Sequence, residues 1–421
     1  MLFLRNMRQL MRRYFATPLL TKIGIGFAIG VAIGLIFGPS AAVIQPLGEL
    51  FLRLLQMVVV PLIFFTLVVG ASAVAPAQLG RLGGKALGYY LLTSTFAVCL
   101  GLGLAWLVQP GRSLTLAEEA GEAPEPLSLV NFLLGLVPTN PFAALSAGQI
   151  LPMITFAVII GIALATLRHS EDATKSEPGQ MIYRLFQGGA ELMFLVVRGV
   201  LEYAPIGVAA LIANTLGTTG IAGLIPLARL TGVLFTGILL QFLVYAILLR
   251  LLNVDLKRFI TSVAEPITTA LVTRSSNATL PVSMRAAEKM GVSESVYSLT
   301  LPLGATINMD GLAIYMGATV VFAANIAGVE LTFLQILGVV LTGVLGSIGA
   351  AGIPSGGLLV LSLALTQAGL PLGAIALVAG IDAILDMART ACNITGDLVG
   401  TTVIASTEKN LPTGEITPEV A

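Results

Sequence analysis

Long apolar runs separated by short polar tracts set the character of this chain. Runs of spanning length lie at about 18–38, 41–74, 83–109, 129–167, 185–217, 222–252, 296–326 and 375–406. A helix needs roughly 20 residues to cross the hydrocarbon core, and several runs are longer, so tilted or broken helices are expected. Two further segments, about 259–292 and 331–369, behave differently. Each has two short apolar arms around a small polar tip, TRSSNATLP in the first and SIGAAGIPSGG in the second. Arms too short to cross alone enter and leave on one side, and their unpaired tip backbone survives at membrane depth only inside protein or against a wet cavity. The pattern predicts an all-α membrane protein of eight transmembrane helices plus two re-entrant helical hairpins. Hairpins entering from opposite sides form inverted repeats around a mid-membrane site. Surface loops on two soluble-side hairpins are the bland alternative.

Charge sets the orientation. Arg5, Arg8, Arg12 and Arg13 precede the first run, which has full spanning length and no clear cleavage site after it; an uncleaved first helix with a cytoplasmic N-terminus is expected. Basic residues recur in alternate connections (Arg81 and Lys85; Arg168 and Lys175; Arg250, Lys257 and Arg258), whereas Glu118, Glu119, Glu122 and Glu125 mark an outer one. Both termini are therefore expected in the cytoplasm of a cell-membrane protein. Composition agrees: 56% of the 421 residues are hydrophobic, 10% are charged and the net charge is zero. That balance excludes an ordinary soluble domain, and no block of like charge suggests a nucleic-acid partner. Cys99 and Cys392 lie in apolar runs and read as small buried hydrophobes rather than a disulfide or metal pair. His169, in RHSEDATKSE, reads as a solvated loop residue.

Chemistry concentrates in the last run, GIDAILDMARTACNITGDLVGTTVIA. At about 100° per residue, Asp382, Asp386, Arg389, Asn393 and Asp397 spread over roughly 80° of one helix face. Ionisable groups in a spanning helix cost about 2.5–3.5 kcal/mol each on insertion scales and mark a protected polar site. Arg389 offers a fork matched to a carboxylate, and Asp386 would attract an ammonium, so the face suits a ligand bearing both signs. An internal salt bridge from Arg389 to Asp386 or Asp382 is the structural alternative. The seventh run holds GATINMDG, in which Gly304 and Gly311 bracket a stretch able to unwind and expose the carbonyls of Gly304, Thr306 and Asn308. Such oxygens, with the Asp310 carboxylate, are what hard cations prefer. Asp397, one turn below Asn393, could supply a second carboxylate to the same cation.

TRSSNATLP, NMDG, SIGAAGIPSGG and DMARTACNITGD, in that order, resemble the signature regions of the glutamate/aspartate transporter family, the dicarboxylate/amino acid:cation symporters, over roughly residues 20–407. The resemblance implies that Asp386 binds a substrate amino group and Arg389 its side-chain carboxylate, with Thr390 and Asn393 on the amino and α-carboxylate groups. It places Arg274, Ser275 and Ser276 of the first tip around the substrate through main-chain and hydroxyl contacts, and Ile353 and Gly357 of the second tip over it. One sodium site would use carbonyls of Gly304, Asn308 and Asn393 with the Asp397 carboxylate. A second would use Thr306 and carbonyls of Ser347, Ile348 and Ala350. A third would use Tyr90, Thr93, Ser94, Asn308 and Asp310. Asn277 and Asn393 head glycosylation sequons, but both fall inside these motifs and read as chance matches.

The resemblance further implies a homotrimeric, elevator-type symporter in membrane lipid. Residues 1–82 and 111–217 would form its scaffold, 83–110 and 218–407 its transport domain, and 408–421 a cytoplasmic tail. Four departures bear on its substrate. Leu312 replaces a common hydroxyl residue after NMDG, which weakens the case for an acidic side chain. Met316 stands where other members have glutamate or glutamine, which argues against proton carriage there. Asn277-Ala278 replaces Ser-Gly, and Ala350 replaces threonine. Asp397, where proton-coupled bacterial members tend to have asparagine, favours sodium; Asp386, absent from dicarboxylate-specific members, favours an amino acid. The expected activity is sodium-coupled import of L-aspartate, then glutamate, and not an enzymatic reaction. A neutral amino acid exchanger, or a proton-coupled glutamate or dicarboxylate symporter, is the alternative within the fold. An intramembrane aspartyl protease using Asp310 and Asp397 would be spoiled by Arg389 nearby, and a channel would not need two opposed tips.

Overall fold

The computed structural model describes residues 17–72, 79–112, 129–349 and 356–408. The N-terminal arginines, the acidic tract and two tip residues, Ala350 and Ile353, lie outside the described residues. Among the described residues the architecture is helical without strands. Helix α1 (Leu19–Phe37) passes through a 3₁₀ turn into α2 (Gln45–Ser72), and α3 spans Gly84–Val108. The run expected as one span at 129–167 is three helices: α4 (Leu129–Gly135), α5 (Pro141–Ser146) and α6 (Ile150–Arg168). Its breaks have local causes. Asn140 accepts hydrogen bonds from the Phe142 and Ala143 amides with Pro141 at the first turn, and Gly148 takes a φ of 64° before α6 begins.

Helix α7 (Ala173–Thr219) starts a dozen residues before its apolar run, because Asp172 caps the Thr174 amide. Helix α8 (Leu224–Leu251) follows. The first hairpin is α9 (Leu256–Thr273) and α10 (Ser276–Lys289), the seventh span is α11 (Glu294–Ile307) and α12 (Asp310–Ala327), and the second hairpin is α13 (Phe333–Gly349) and α14 (Gly356–Ala368). A short α15 (Gly373–Ala379) precedes α16 (Asp382–Thr407). The last run is therefore also broken, at Gly380–Ile381.

Among the described residues five stretches are long and apolar enough to cross a membrane: Thr21–Ser72, Arg81–Val108, Ile150–Arg168, Ala173–Leu251 and Glu294–Ala327. Thr21–Ser72 and Ala173–Leu251 each contain two successive helices, and Glu294–Ala327 is one crossing broken in the middle. Helix α16 fails the same criterion because it carries Asp382, Asp386, Arg389 and Asp397, yet all four are buried. The bundle, not lipid, is their solvent. Large apolar side chains such as Ile36, Leu92 and Leu239 point outward instead, as lipid-facing positions should.

Packing groups the helices. Helices α1, α2, α6 and α7 lie against one another. Helices α3 and α8 to α12 pack around α16 or α12, and the second hairpin touches both groups through α2, α6, α3 and α12. The first hairpin packs on α11 and α16 and has no comparable contact with α2, α6 or α7. At the start of α3, Lys85 donates to Thr407 and Glu408 at 2.7 Å each, and Arg81 lies 3.2 Å from Glu408. These contacts tie the end of α16 to the start of α3, and the Lys85 ammonium lowers the Glu408 carboxyl below its usual range.

The α3–α12 crossing is made close by small residues. A Cβ at Gly101 would run into the Ile314 carbonyl, and one at Gly317 into the Val98 carbonyl. Small residues at such crossings let backbones approach where lipid supplies no hydrophobic drive. Gly101→Val should lower the melting temperature of the detergent-solubilised protein, by about 1–3 kcal/mol of overpacking; Gly103→Val, whose added Cβ meets nothing within 4 Å, should not.

Candidate functional site

The site begins where the seventh span stops being a helix. Asn308 (φ −93°, ψ 94°) and Met309 (φ −123°, ψ 59°) separate α11 from α12, within the glycine-bracketed stretch expected to unwind. The restarted helix exposes amides that need acceptors, and Met309 offers no side-chain cap. Asn393 of α16 supplies one from across the interface: its Oδ1 accepts from Gly311 N at 2.8 Å and Leu312 N at 3.4 Å. Gly311 is required there, since a Cβ would strike the Arg389 backbone.

Arg389 is the centre of the charged cluster. Its Nη2 donates to Asp386 Oδ1 at 2.9 Å and lies 2.9 Å from Asp382 Oδ1. Its guanidinium sits 4.0 Å over the Tyr315 ring, a cation–π contact. A Cβ at Gly357 would come within 2.5 Å of Arg389 Nη1, so the second hairpin closes over the fork with bare backbone. Arg274 terminates α9 in the left-handed region (φ 52°, ψ 34°), a conformation a non-glycine residue rarely holds. That turn swings its Nη1 to 3.9 Å from Asp386 Oδ2, and Ser275 then caps α10 through the Ala278 amide at 3.2 Å. Neither Arg274 Nη1 nor Arg389 Nη1 has a hydrogen-bond partner, although both are buried.

Both hairpins thus meet the same point of α16. Arg274, Ser276, Met309, Leu312, Gly356, Gly357, Asp386, Arg389, Thr390 and Asn393 line one cavity of about 20 Å³. That volume holds a water molecule and no amino acid, so admission of a larger ligand requires a wall to move. Thr390 bonds its hydroxyl to the Asp386 carbonyl at 2.8 Å. The internal pairing of Arg389 and the two-sign pocket, set against each other from sequence, are both present: the charges a zwitterion would meet are already satisfying one another.

Two further networks adjoin this cavity. Asp310 is fully buried and receives Ser94 Oγ at 2.8 Å, Gln241 Nε2 at 3.1 Å and the Tyr245 hydroxyl. Thr93 donates to Asn308 Oδ1 at 3.2 Å, and Asn308 Nδ2 donates to Asp397 Oδ1 at 3.0 Å. A Cβ at Gly304 would lie 2.6 Å from Asp397 Oδ1 and 2.9 Å from the Tyr90 hydroxyl, so glycine lets the carboxylate reach the α11 backbone. Asp310 and Asp397 consequently occupy separate networks joined through Asn308, rather than one shared shell. Each combines a single carboxylate with neutral oxygens, the donor set of a hard cation. Thr306 stands apart: its hydroxyl bonds the Leu303 carbonyl at 2.9 Å and it lines a crevice of about 440 Å³ between α2, α7 and α11. Ser347 and Ile348 belong to the last turn of α13, and Ala350 and Ile353 lie outside the described residues.

Sequence reasoning leaves several participants unassigned. The internal salt bridge weighed from sequence between two acids forms with both, Asp382 and Asp386 each lying 2.9 Å from Arg389. Arg274 is expected to act through its main chain, but its guanidinium faces Asp386. Gln241 and Tyr245, one turn apart in an otherwise apolar run, are the overlooked signal on α8. Tyr315 has no sequence marker.

Opposed hairpins converging on a broken helix and a buried ion-pair cluster define a secondary transporter. Residues 19–407 match the sodium:dicarboxylate symporter family, to which the chain belongs. It is 33% identical over 404 residues to the proton/sodium-glutamate symport protein of Bacillus caldotenax, covering 92% of this chain and 94% of that one. It is 32% identical over 414 residues to the C4-dicarboxylate transport protein of Cupriavidus taiwanensis (95% and 94% covered). Against the proton/glutamate-aspartate symporter of Escherichia coli the identity is 36% over 379 residues (87% and 85% covered). The chain is an integral membrane symporter for a small molecule, not an enzyme.

Removing one partner of a buried ion pair leaves the other charge uncompensated, at about 3–5 kcal/mol. Asp382→Asn, which keeps the shape and removes the charge, should therefore lower the unfolding temperature in detergent, and weaken substrate binding measured by calorimetry even though Asp382 does not line the cavity.

Proposed function

We propose that this protein imports an acidic amino acid, L-aspartate before glutamate, coupled to sodium. The observation that carries the reading is the convergence of Arg274, Arg389 and Asp386 between the two hairpin tips. Two guanidinium forks suit two carboxylates, and Asp386 suits an ammonium. A C4-dicarboxylate would use the forks and leave Asp386 unanswered, so the carboxylate at that position favours an amino acid. Leu312 in the same cavity offers no hydroxyl to the side-chain carboxylate, which lowers affinity for acidic substrates and makes neutral amino acids the second reading.

Sodium would bind at Asp397 with carbonyls of Gly304, Asn308 and Asn393, and at Asp310 with Tyr90, Thr93, Ser94 and Asn308. A further site would use Thr306 and the end of α13 through Ala350. The Asn308 amide bonds Asp397, and Asn393 caps α12 beside the cavity, so filling a cation site and shaping the substrate pocket engage the same side chains. Ligands that favour one arrangement of shared groups raise each other's affinity.

The packing supports an elevator with α1, α2 and α4 to α7 as scaffold and α3, α8, both hairpins, α11, α12 and α16 as the moving body. The second hairpin rests on α2 and α6 while the first faces the crevice between α2, α7 and α11, an arrangement we assign to the inward-facing side of the cycle with cytoplasmic termini. The chain functions as a homotrimer. In proteoliposomes, labelled aspartate uptake should require an inward sodium gradient; uptake driven by a proton gradient and indifferent to sodium overturns the coupling. Arg389→Cys should abolish aspartate uptake and admit serine or cysteine; unchanged aspartate affinity would remove Arg389 from side-chain recognition.

A further inference from the structure

Gln241 has no role in the reading so far, yet it is the polar residue whose burial is hardest to explain. It lies on α8 in an apolar run, is completely buried, and points at Asp310. Its amide nitrogen is accounted for by the 3.1 Å bond to Asp310 Oδ2, but its carbonyl oxygen, Oε1, has no hydrogen-bond partner among the described residues. A buried amide carbonyl without a donor loses its hydration and recovers nothing, so it persists where something else fills its coordination. Tyr245, one turn further along the same helix face, donates its hydroxyl to the same Asp310 oxygen. Ser94 holds the other oxygen from α3 at 2.8 Å. The Asp310 carboxylate is thereby fixed between two helices, with one unused neutral oxygen beside it. An amide oxygen next to a fixed carboxylate is a ligand pair for a hard, weakly charged cation. Thr93, next to Ser94 on α3, and Asn308 pair with each other nearby and hold further oxygens.

We propose that Gln241 is a direct ligand, through Oε1, of the cation held at Asp310, and that Tyr245 is the positioning residue that orients that carboxylate. The assignment rests on the proposed sodium site at Asp310 and extends it to α8, a helix that no motif of the sequence connects with cation binding. It also gives α8 a functional reason to travel with α3 and α12: the cation shell would be completed across the α3–α8 and α8–α12 contacts.

The experiment measures sodium binding in two ways on purified protein: the sodium-dependent rise in melting temperature without substrate, and the sodium half-saturation of aspartate uptake in proteoliposomes. A ligand that binds only the folded state raises stability with the logarithm of its concentration over its Kd. Gln241→Met, which keeps the length and removes both polar atoms, should raise the sodium half-saturation at least tenfold. It should also shrink the sodium-induced thermal shift, measured against the variant's own melting temperature without sodium. Gln241→Glu keeps an oxygen at the same place and should retain the response. Tyr245→Phe should raise the sodium half-saturation in the same direction. Combined with Asp310→Asn, Gln241→Met should add no further loss of the thermal shift, because ligands of one ion are not additive. Wild-type sodium behaviour in both Gln241→Met and Tyr245→Phe, or full additivity with Asp310→Asn, overturns this assignment while leaving sodium coupling intact. Absence of any sodium response in the wild type overturns the sodium reading and this assignment together. Should Gln241→Met fail to fold, Gln241→Leu and Tyr245→Phe carry the same comparison.

Discussion

One buried guanidinium organises the middle of this molecule. Arg389 lies in a helix whose surroundings are otherwise suited to lipid, and an unpaired charge there would be far too costly to keep. Its tolerance depends on Asp382 and Asp386 at 2.9 Å each and on the Tyr315 ring beneath it. Those partners come from two turns of α16 and from α12, so the charge can be buried only if the two helices sit in one register. Gly311 and Gly357 complete the arrangement by bringing backbone against the arginine from α12 and from the second hairpin. A ligand that engaged Arg389 or Asp386 would have to take over part of an existing pairing.

The break in the seventh span links that cluster to the Asp310 and Asp397 networks. Asn308 and Met309 leave the helix, Asn393 caps the segment that follows, and Asn308 bridges toward Thr93 and Asp397. A continuous helix would bury those amides and carbonyls in its own ladder and present nothing to an ion. Close glycine crossings between α3 and α12 make the surrounding body stiff, so small changes at one network are passed on rather than absorbed. A cavity of only about 20 Å³ at the arginine has room for a water molecule and nothing larger in this arrangement.

Much of this is legible in the chain itself, for definite reasons. The hairpins stand out because a polar tip between two short apolar arms can sit at membrane depth only as a re-entrant turn buried in protein. The polar face of α16 is visible because helical periodicity maps spacing onto angle. The run at 129–167 reads as one span because mean apolarity hides the punctuation of Asn140-Pro141 and Gly148, and α7 begins early because one Asp172 cap outweighs a polar stretch. Thr306 groups with cation ligands by motif, but a local bond to Leu303 turns its hydroxyl away from the other networks.

The sequence by itself determined the class of molecule, the two hairpins, the unwound stretch and the residues that carry charge, because burial energetics constrain where polar groups can occur in an apolar chain. Only the tertiary structure decided which of them meet. The Arg274 side chain was swung onto Asp386 by a left-handed turn, and Asp310 and Asp397 parted into adjoining networks. Gln241 and Tyr245 joined the first of these from a helix with no motif. Pairings of this kind join positions from about 65 to more than 200 residues apart in the chain and depend on helix rotation and crossing, which local spacing does not encode.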